Sequence, residues 1–136
     1  MDRTWIPRQS LGGVPFGCSE RDLHKFGSFV RVPEVEDDFV GWNAYGIGDD
    51  FRVYCEAGAV VAIAVYDSLL YQNREIIGLE LEEVAKVLGD FNYSIDEPLE
   101  VVDEMQTPVH FDALGLQLWL RDGVAVSATC DDPQET

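Results

Sequence analysis

Histidine is the first place to look for proton chemistry, and this chain offers two, His24 in a helix-like stretch and His110 at the start of a strand-like one. Neither has an acid or nucleophile at a spacing that suggests a Ser-His-Asp or Cys-His site, so each reads as a surface or boundary residue. Cys18, Cys55 and Cys130 are odd in number and lack metal-ligand spacing; they read as buried free thiols in a reducing compartment. Gly46-Ile47-Gly48-Asp49-Asp50 lacks the Lys and Ser/Thr of a phosphate loop and the third glycine of a dinucleotide site. The acidic runs Glu34-Val35-Glu36-Asp37-Asp38 and Asp96-Glu97-Pro98-Leu99-Glu100 lack the alternating oxygen ligands and central glycine of a calcium loop. With 26 Asp and Glu present, any chosen pair would satisfy a glycosidase search, which deprives the match of meaning. The expectation is a protein that is not an enzyme and needs neither metal nor cofactor.

Charge is the stronger signal. Nine Lys and Arg against 26 Asp and Glu leave the 136 residues at a formal −17. Residues 1–31 hold five of the bases and three of the acids, so the acidity belongs to the rest of the chain. Such a field repels nucleic acid and anionic membrane and draws in basic partners. The longest apolar run, Ala57 to Tyr66, is about half a membrane span, and no basic, apolar leader opens the sequence. A cytoplasmic protein is expected. At 46% hydrophobic the chain has the apolar content for one domain over residues 1–136 that buries roughly two-thirds of its surface.

The chain reads as a duplicated unit, with copies over about residues 13–67 and 76–132. Phe16-Gly17-Cys18-Ser19 leads into one short helical pattern and Ile77-Gly78-Leu79-Glu80 into another, ending at Gly27 and Gly89. Phe51 to Asp67 and Leu116 to Asp132 then align without a gap at an offset of 65. A helix is predicted over 19–27, with Ser19 as its cap and Gly27 as a left-handed stop, and a second over 80–89 with the apolar stripe Leu79, Val84, Val87 and Leu88. The fold class is α+β: helix, linker and β-hairpin, twice, forming an antiparallel sheet with short helices packed on one face.

The hairpin turns set which side chains share a face. A two-residue turn would place Ala57 at positive φ, which alanine resists, so a three-residue loop Glu56-Ala57-Gly58 is expected. That pairs Cys55 with Ala59, Val53 with Val61 and Phe51 with Ile63; Arg121-Asp122-Gly123 likewise pairs Leu120 with Val124, Leu118 with Val126 and Leu116 with Ala128. The large aliphatics then face the helices. The other face carries Arg52, Tyr54, Val60, Ala62, Ala64 and Tyr66 from one copy, and Gln117, Trp119, Ala125, Ser127 and Thr129 from the other. Tyr54 and Trp119 stand at equivalent repeat positions as aromatic posts on small-residue ground.

The opening Gly17-Cys18-Ser19-Glu20-Arg21-Asp22-Leu23, its later counterpart Gly78-Leu79-Glu80-Leu81-Glu82-Glu83-Val84, and a hairpin ending each half make the chain similar to bacterial immunity proteins that neutralise polymorphic or contact-dependent toxins. The halves also resemble the β-lactamase-inhibitor-like architecture. The resemblance spans about residues 13–132 and brings no site residues with it. It implies a protein that binds a basic toxin domain, a nuclease among the candidates, through an acidic surface. Glu34, Glu36, Asp37, Asp38, Asp49 and Asp50 are then the expected charged contacts, and Trp42, Tyr45, Tyr54 and Trp119 the aromatic anchors. The same residues leave open a phage-type DNA mimic, or a small ligand-binding module on the face opposite the helices. Monomer and homodimer are both compatible with the sequence.

Overall fold

The computed structural model describes residues 2–33, 41–89 and 91–132. Its first half runs β1 (Trp5–Ile6), β2 (Ser10–Leu11), β3 (Val14–Pro15), a 3₁₀ helix (Glu20–Lys25), β4 (Val30–Arg31), β5 (Trp42–Ile47), β6 (Phe51–Glu56) and β7 (Ala59–Val65). The second runs β8 (Leu70–Tyr71), β9 (Arg74–Glu75), α1 (Leu81–Leu88), β10 (Ser94–Ile95), β11 (Leu99–Val101), β12 (Glu104–Phe111), a 3₁₀ turn (Asp112–Leu114), β13 (Leu116–Arg121) and β14 (Val124–Asp131). Among the described residues, nine strands form one sheet in the order β10-β12-β13-β14-β7-β6-β5-β4, with β11 also paired to β12. Every pairing in it is antiparallel. The fold is α+β and dominated by strands.

Alternation of apolar residues along the central strands places Phe51, Val53, Ile63, Val65, Leu116, Leu118 and Cys130 in one buried cluster. The helices cover part of this face through Leu23, Val84 and Leu88. They are not the whole cover. The small hairpins contribute Trp5, Leu11, Val14, Leu69 and Ile76, all at most 1% exposed, because two short helices present too little apolar area for so wide a sheet.

The second helix follows its sequence pattern. Glu82 and Glu83 occupy its first turn, Glu83 Oε1 accepts a hydrogen bond from the Glu80 N–H at 3.3 Å, and Gly89 ends it at φ 84°. The first is shorter and tighter than the predicted 19–27, a 3₁₀ helix in which the Asp22 N–H reaches the Ser19 carbonyl and the Ser19 side chain caps nothing. With Leu23 as its one buried residue, there is little apolar stripe to hold a longer α-helix. Gly27 is not a left-handed stop. Its lack of a side chain instead admits Ile47, whose Cδ1 would lie 2.8 Å from an added Cβ.

The hairpin turns correct the predicted register. Ala57 and Gly58 both sit at positive φ, 54° and 83°, as do Asp122 and Gly123 at the same two values. These are two-residue turns, pairing Glu56 with Ala59 and Arg121 with Val124. The register then shifts between Tyr54 and Cys55, and between Trp119 and Leu120. Cys55 consequently pairs with Val60, Val53 with Ile63 and Phe51 with Val65; Leu120 pairs with Ala125, Leu118 with Ala128 and Leu116 with Cys130. Val61 and Val126 are the extra residues of the two bulges. They move to the face opposite the helices, while Val60 and Ala125 join the core. A two-residue turn matches the twist of the strands well enough to outweigh the roughly 1–2 kcal/mol that a left-handed alanine costs.

Replacing Ala57 with Gly should therefore raise stability by about 1 kcal/mol in urea denaturation. Gly58→Ala should lower it by a similar amount, through the backbone alone, since a Cβ there meets nothing within 4 Å. Equal midpoints for both variants and the parent would contradict the two-residue turn.

Candidate functional site

The bulges and the strand parity leave one face of the sheet uncovered by helices. Across it, Tyr54 stands opposite Ala62 and Ala62 opposite Asp131, while Arg52, Ala64, Thr129 and Gln117 form the adjoining row. Trp119 and Ser127 pair beyond that row. The small residues are the floor and the aromatics the walls of a groove of about 730 Å³. Trp42 and Tyr54 meet at 5.9 Å between ring centroids and form one wall. They pack with Ala44, Ala62, Ala64, Val32 and Val61 in an apolar cluster separate from the main core. Trp119, Val126 and the β11 residue Val101 face them, and Gln106, Gln117, Ser127 and Thr129 add polar groups.

Electrostatics are mixed inside the groove and acidic around it. Arg121 pairs with Glu104 at 3.2 Å, and Glu104 also accepts from Gln106 at 2.8 Å; that bond, more than the arginine, holds the Glu104 carboxyl below its usual range. Tyr54 is 8% exposed. Burial, followed by its contact with Tyr66, pushes its phenol up to about 12.

Of the residues singled out from sequence, Trp42, Tyr54 and Trp119 come together as lining of this groove. Asp49 and Asp50 are exposed in the turn between β5 and β6, where the Asp50 carbonyl accepts from the N–H of Tyr66, another lining residue. Tyr45 is on the other face, packed against the main core, where its hydroxyl donates to Glu20. The same Glu20 oxygen accepts from Asn43 Nδ2 at 2.8 Å, tying the 3₁₀ helix to β5. Burial and this carboxylate push the Tyr45 phenol up to about 12. Glu34, Glu36, Asp37 and Asp38 lie outside the described residues.

Sequence reasoning missed Tyr66 as an anchor and missed the β11–β12 hairpin that forms a wall. Strand parity had already placed Tyr66 on this face beside Ala62 and Ala64, but not among the anchors; the hairpin had only its Val-Val-Asp turn as a signal. It also left His110 without a partner, whereas its Nε2 lies 2.7 Å from Asp96 Oδ2 because β10 pairs with β12. All three cysteines are free, with Cys55 and Cys130 buried and their thiols pushed upward by burial, that of Cys55 to about 12. Among the described residues no cluster of His, Cys, Asp and Glu could hold a metal, and no helix is long and apolar enough to cross a membrane.

The raised groups Tyr45, Tyr54 and Cys55 make alkaline stability a readout of this packing. Each favours its neutral form in the folded state. Their contributions are complete below the unfolded-state values, 10 for the tyrosines and 9 for the thiol, and are lost as pH rises toward about 12. The urea midpoint should hold up to about pH 9 and then fall, and Tyr54→Phe should make the fall shallower; a parent midpoint unchanged to pH 12 would show that the phenol is not buried as described. Comparison of the chain with protein-family models, with curated proteins and with solved structures finds no match to any of the three.

Proposed function

We propose that this protein is an immunity-type inhibitor whose open sheet face receives a projecting element of a basic toxin domain. The observation that carries the reading is the groove itself, with Trp42, Tyr54 and Trp119 converging over a floor of Ala62, Ala64, Ser127 and Thr129. Tyr and Trp are the usual energetic anchors of a protein interface, and the small residues between them leave room for a partner's side chains. The formal −17 of the chain supplies the steering field.

We also infer that the fold is a duplicated unit. The Gly17 N–H bonds to the Val60 carbonyl and the Gly78 N–H to the Ala125 carbonyl, both at 2.8 Å. Val60 and Ala125 return bonds to Cys18 and Leu79 at 3.0 and 2.9 Å. The hairpins β2–β3 and β8–β9 turn through positive-φ pairs, Gly12-Gly13 and Gln72-Asn73. At the seam, Ala128–Val65 and Cys130–Ile63 exchange under the offset of 65, and Ala64–Thr129 maps onto itself. These correspondences support two copies meeting about a pseudo-twofold axis through Ala64 and Thr129. Tyr54 then corresponds to Trp119, Ala62 to Ser127 and Tyr66 to Asp131, so one half of the groove is the more apolar.

A groove of about 730 Å³ also falls within the size of small-molecule sites, which favours a ligand-binding module as the second reading. The described acids lend the DNA-mimic reading little support, being divided among separate elements: α1, the β5–β6 turn and the β10–β12 region.

Where a basic toxin domain is encoded beside its gene, co-expression with this protein should restore growth. Trp42→Ala and Trp119→Ala should each weaken the complex by about 2 kcal/mol, mainly through faster dissociation. Reversing Asp49 and Asp50 to Lys should slow association at low salt and leave it little changed at high salt. Full neutralisation by a Trp42→Ala/Trp119→Ala double variant would remove the groove from the interface.

A further inference from the structure

The strand pair β11–β12 carries features that the groove alone does not use. Its two-residue turn is Val102-Asp103, with both residues at positive φ, 45° and 65°. A β-branched residue in the left-handed region is a steric outlier, and the two-residue turn is what requires it there. Val102 is also 91% exposed, so burial does not hold it there. Leu99 is 51% exposed and pairs with Gln106, a groove-lining residue, which places it on the groove side of the hairpin. Val101 and Val102 both line the groove, making the hairpin continuous with it.

Along this segment the charge has one sign, although Glu104 is paired with Arg121 and Asp96 is bonded to His110, which leaves Glu97, Glu100 and Asp103 as the acids not engaged by those two bases. From Phe91 to Gln106 there are five acids, Asp96, Glu97, Glu100, Asp103 and Glu104, and no base. A second copy is a poor occupant, because a twofold contact would set this acidic surface against itself. Anionic membrane is repelled for the same reason. What fits is an apolar contact flanked by cations.

We propose that the β11–β12 hairpin is a docking arm for a basic, amphipathic segment of the partner protein, with Leu99 and Val102 as its apolar contacts and Glu97 and Asp103 as its charged ones. This rests on the reading that the open face receives a basic protein, and it moves the charged contact toward the second half of the chain.

The arm can be tested on the full chain without the toxin, using a short Lys/Leu amphipathic peptide and its scrambled isomer of identical charge. Titrated at physiological salt and followed by backbone amide NMR, the amphipathic peptide should shift residues 99–106 and bind about tenfold more tightly than the isomer. Leu99→Ser/Val102→Ser should erase that preference. Val102→Gly should weaken the amphipathic peptide while its melting temperature holds or rises, which separates lost contact from lost folding. Equal binding of both peptides, an unaffected Leu99→Ser/Val102→Ser variant, or self-association abolished by that variant would each overturn the arm. If peptide binding follows expectation while the neighbouring toxin is not neutralised, the immunity reading falls and the arm stands. If neutralisation holds and the arm variants match the parent in both assays, the arm alone falls.

Discussion

Four residue pairs join β14 to β7, from Ala128 opposite Val65 to Asp131 opposite Ala62, and through them two half-sheets become one surface. The side chains at this seam satisfy opposite demands on the two faces. Toward the core, Ile63, Val65, Ala128 and Cys130 are buried to within 1%, and burying a large aliphatic there contributes roughly 1.5–3 kcal/mol. Toward the other side, Ala62, Ala64 and Thr129 are small enough to leave open ground in the middle of the sheet. Bulkier residues at these positions would fill the groove from its floor.

The two bulges couple this seam to the covering layer. By inserting Val61 and Val126, each hairpin tip turns Val60 and Ala125 inward, where their backbone groups exchange hydrogen bonds with the segments before the helices. Those segments enter the helices at Ser19 and Glu80, each in an isolated bridge to the opening residue of the hairpin's second strand, Ala59 and Val124. The cover is thus attached to the sheet through backbone bonds at both ends, independent of side-chain packing. The bulge also determines which valines stand on the open face, so one backbone irregularity shapes both the core and the groove.

Charge is excluded from this framework. Ser127 is the one buried polar residue among the described residues, and the acids occupy turns, helix ends and the β10–β12 region. Where the Glu20 carboxylate approaches the interior, one of its oxygens accepts from both Tyr45 and Asn43. The self-repulsion of so acidic a surface is carried by exposed groups that water and salt screen. The core meanwhile depends on apolar contact, which is largely indifferent to that field.

The amino-acid sequence by itself determined the two hairpins, the second helix with its Gly89 stop and the placing of Tyr54 and Trp119 opposite the helices. Each of these is carried by residues close together in the chain, through alternation, an amphipathic stripe or a glycine. It did not determine the register at Ala57-Gly58, where alanine resists the left-handed turn, whereas Asp122-Gly123 is a local signal for the same two-residue turn; bonds from Gly17 and Gly78 to Val60 and Ala125, partners more than forty residues away in each case, hold both hairpins in that register. Nor did it separate Tyr45 from Trp42, since whether β5 presents odd or even positions to the core depends on the strand it pairs with. The groove, its β11–β12 wall and the covering hairpins belong to tertiary structure alone. They arise where backbone hydrogen bonding between distant segments overrides what each segment would choose locally, as it does at the left-handed Ala57.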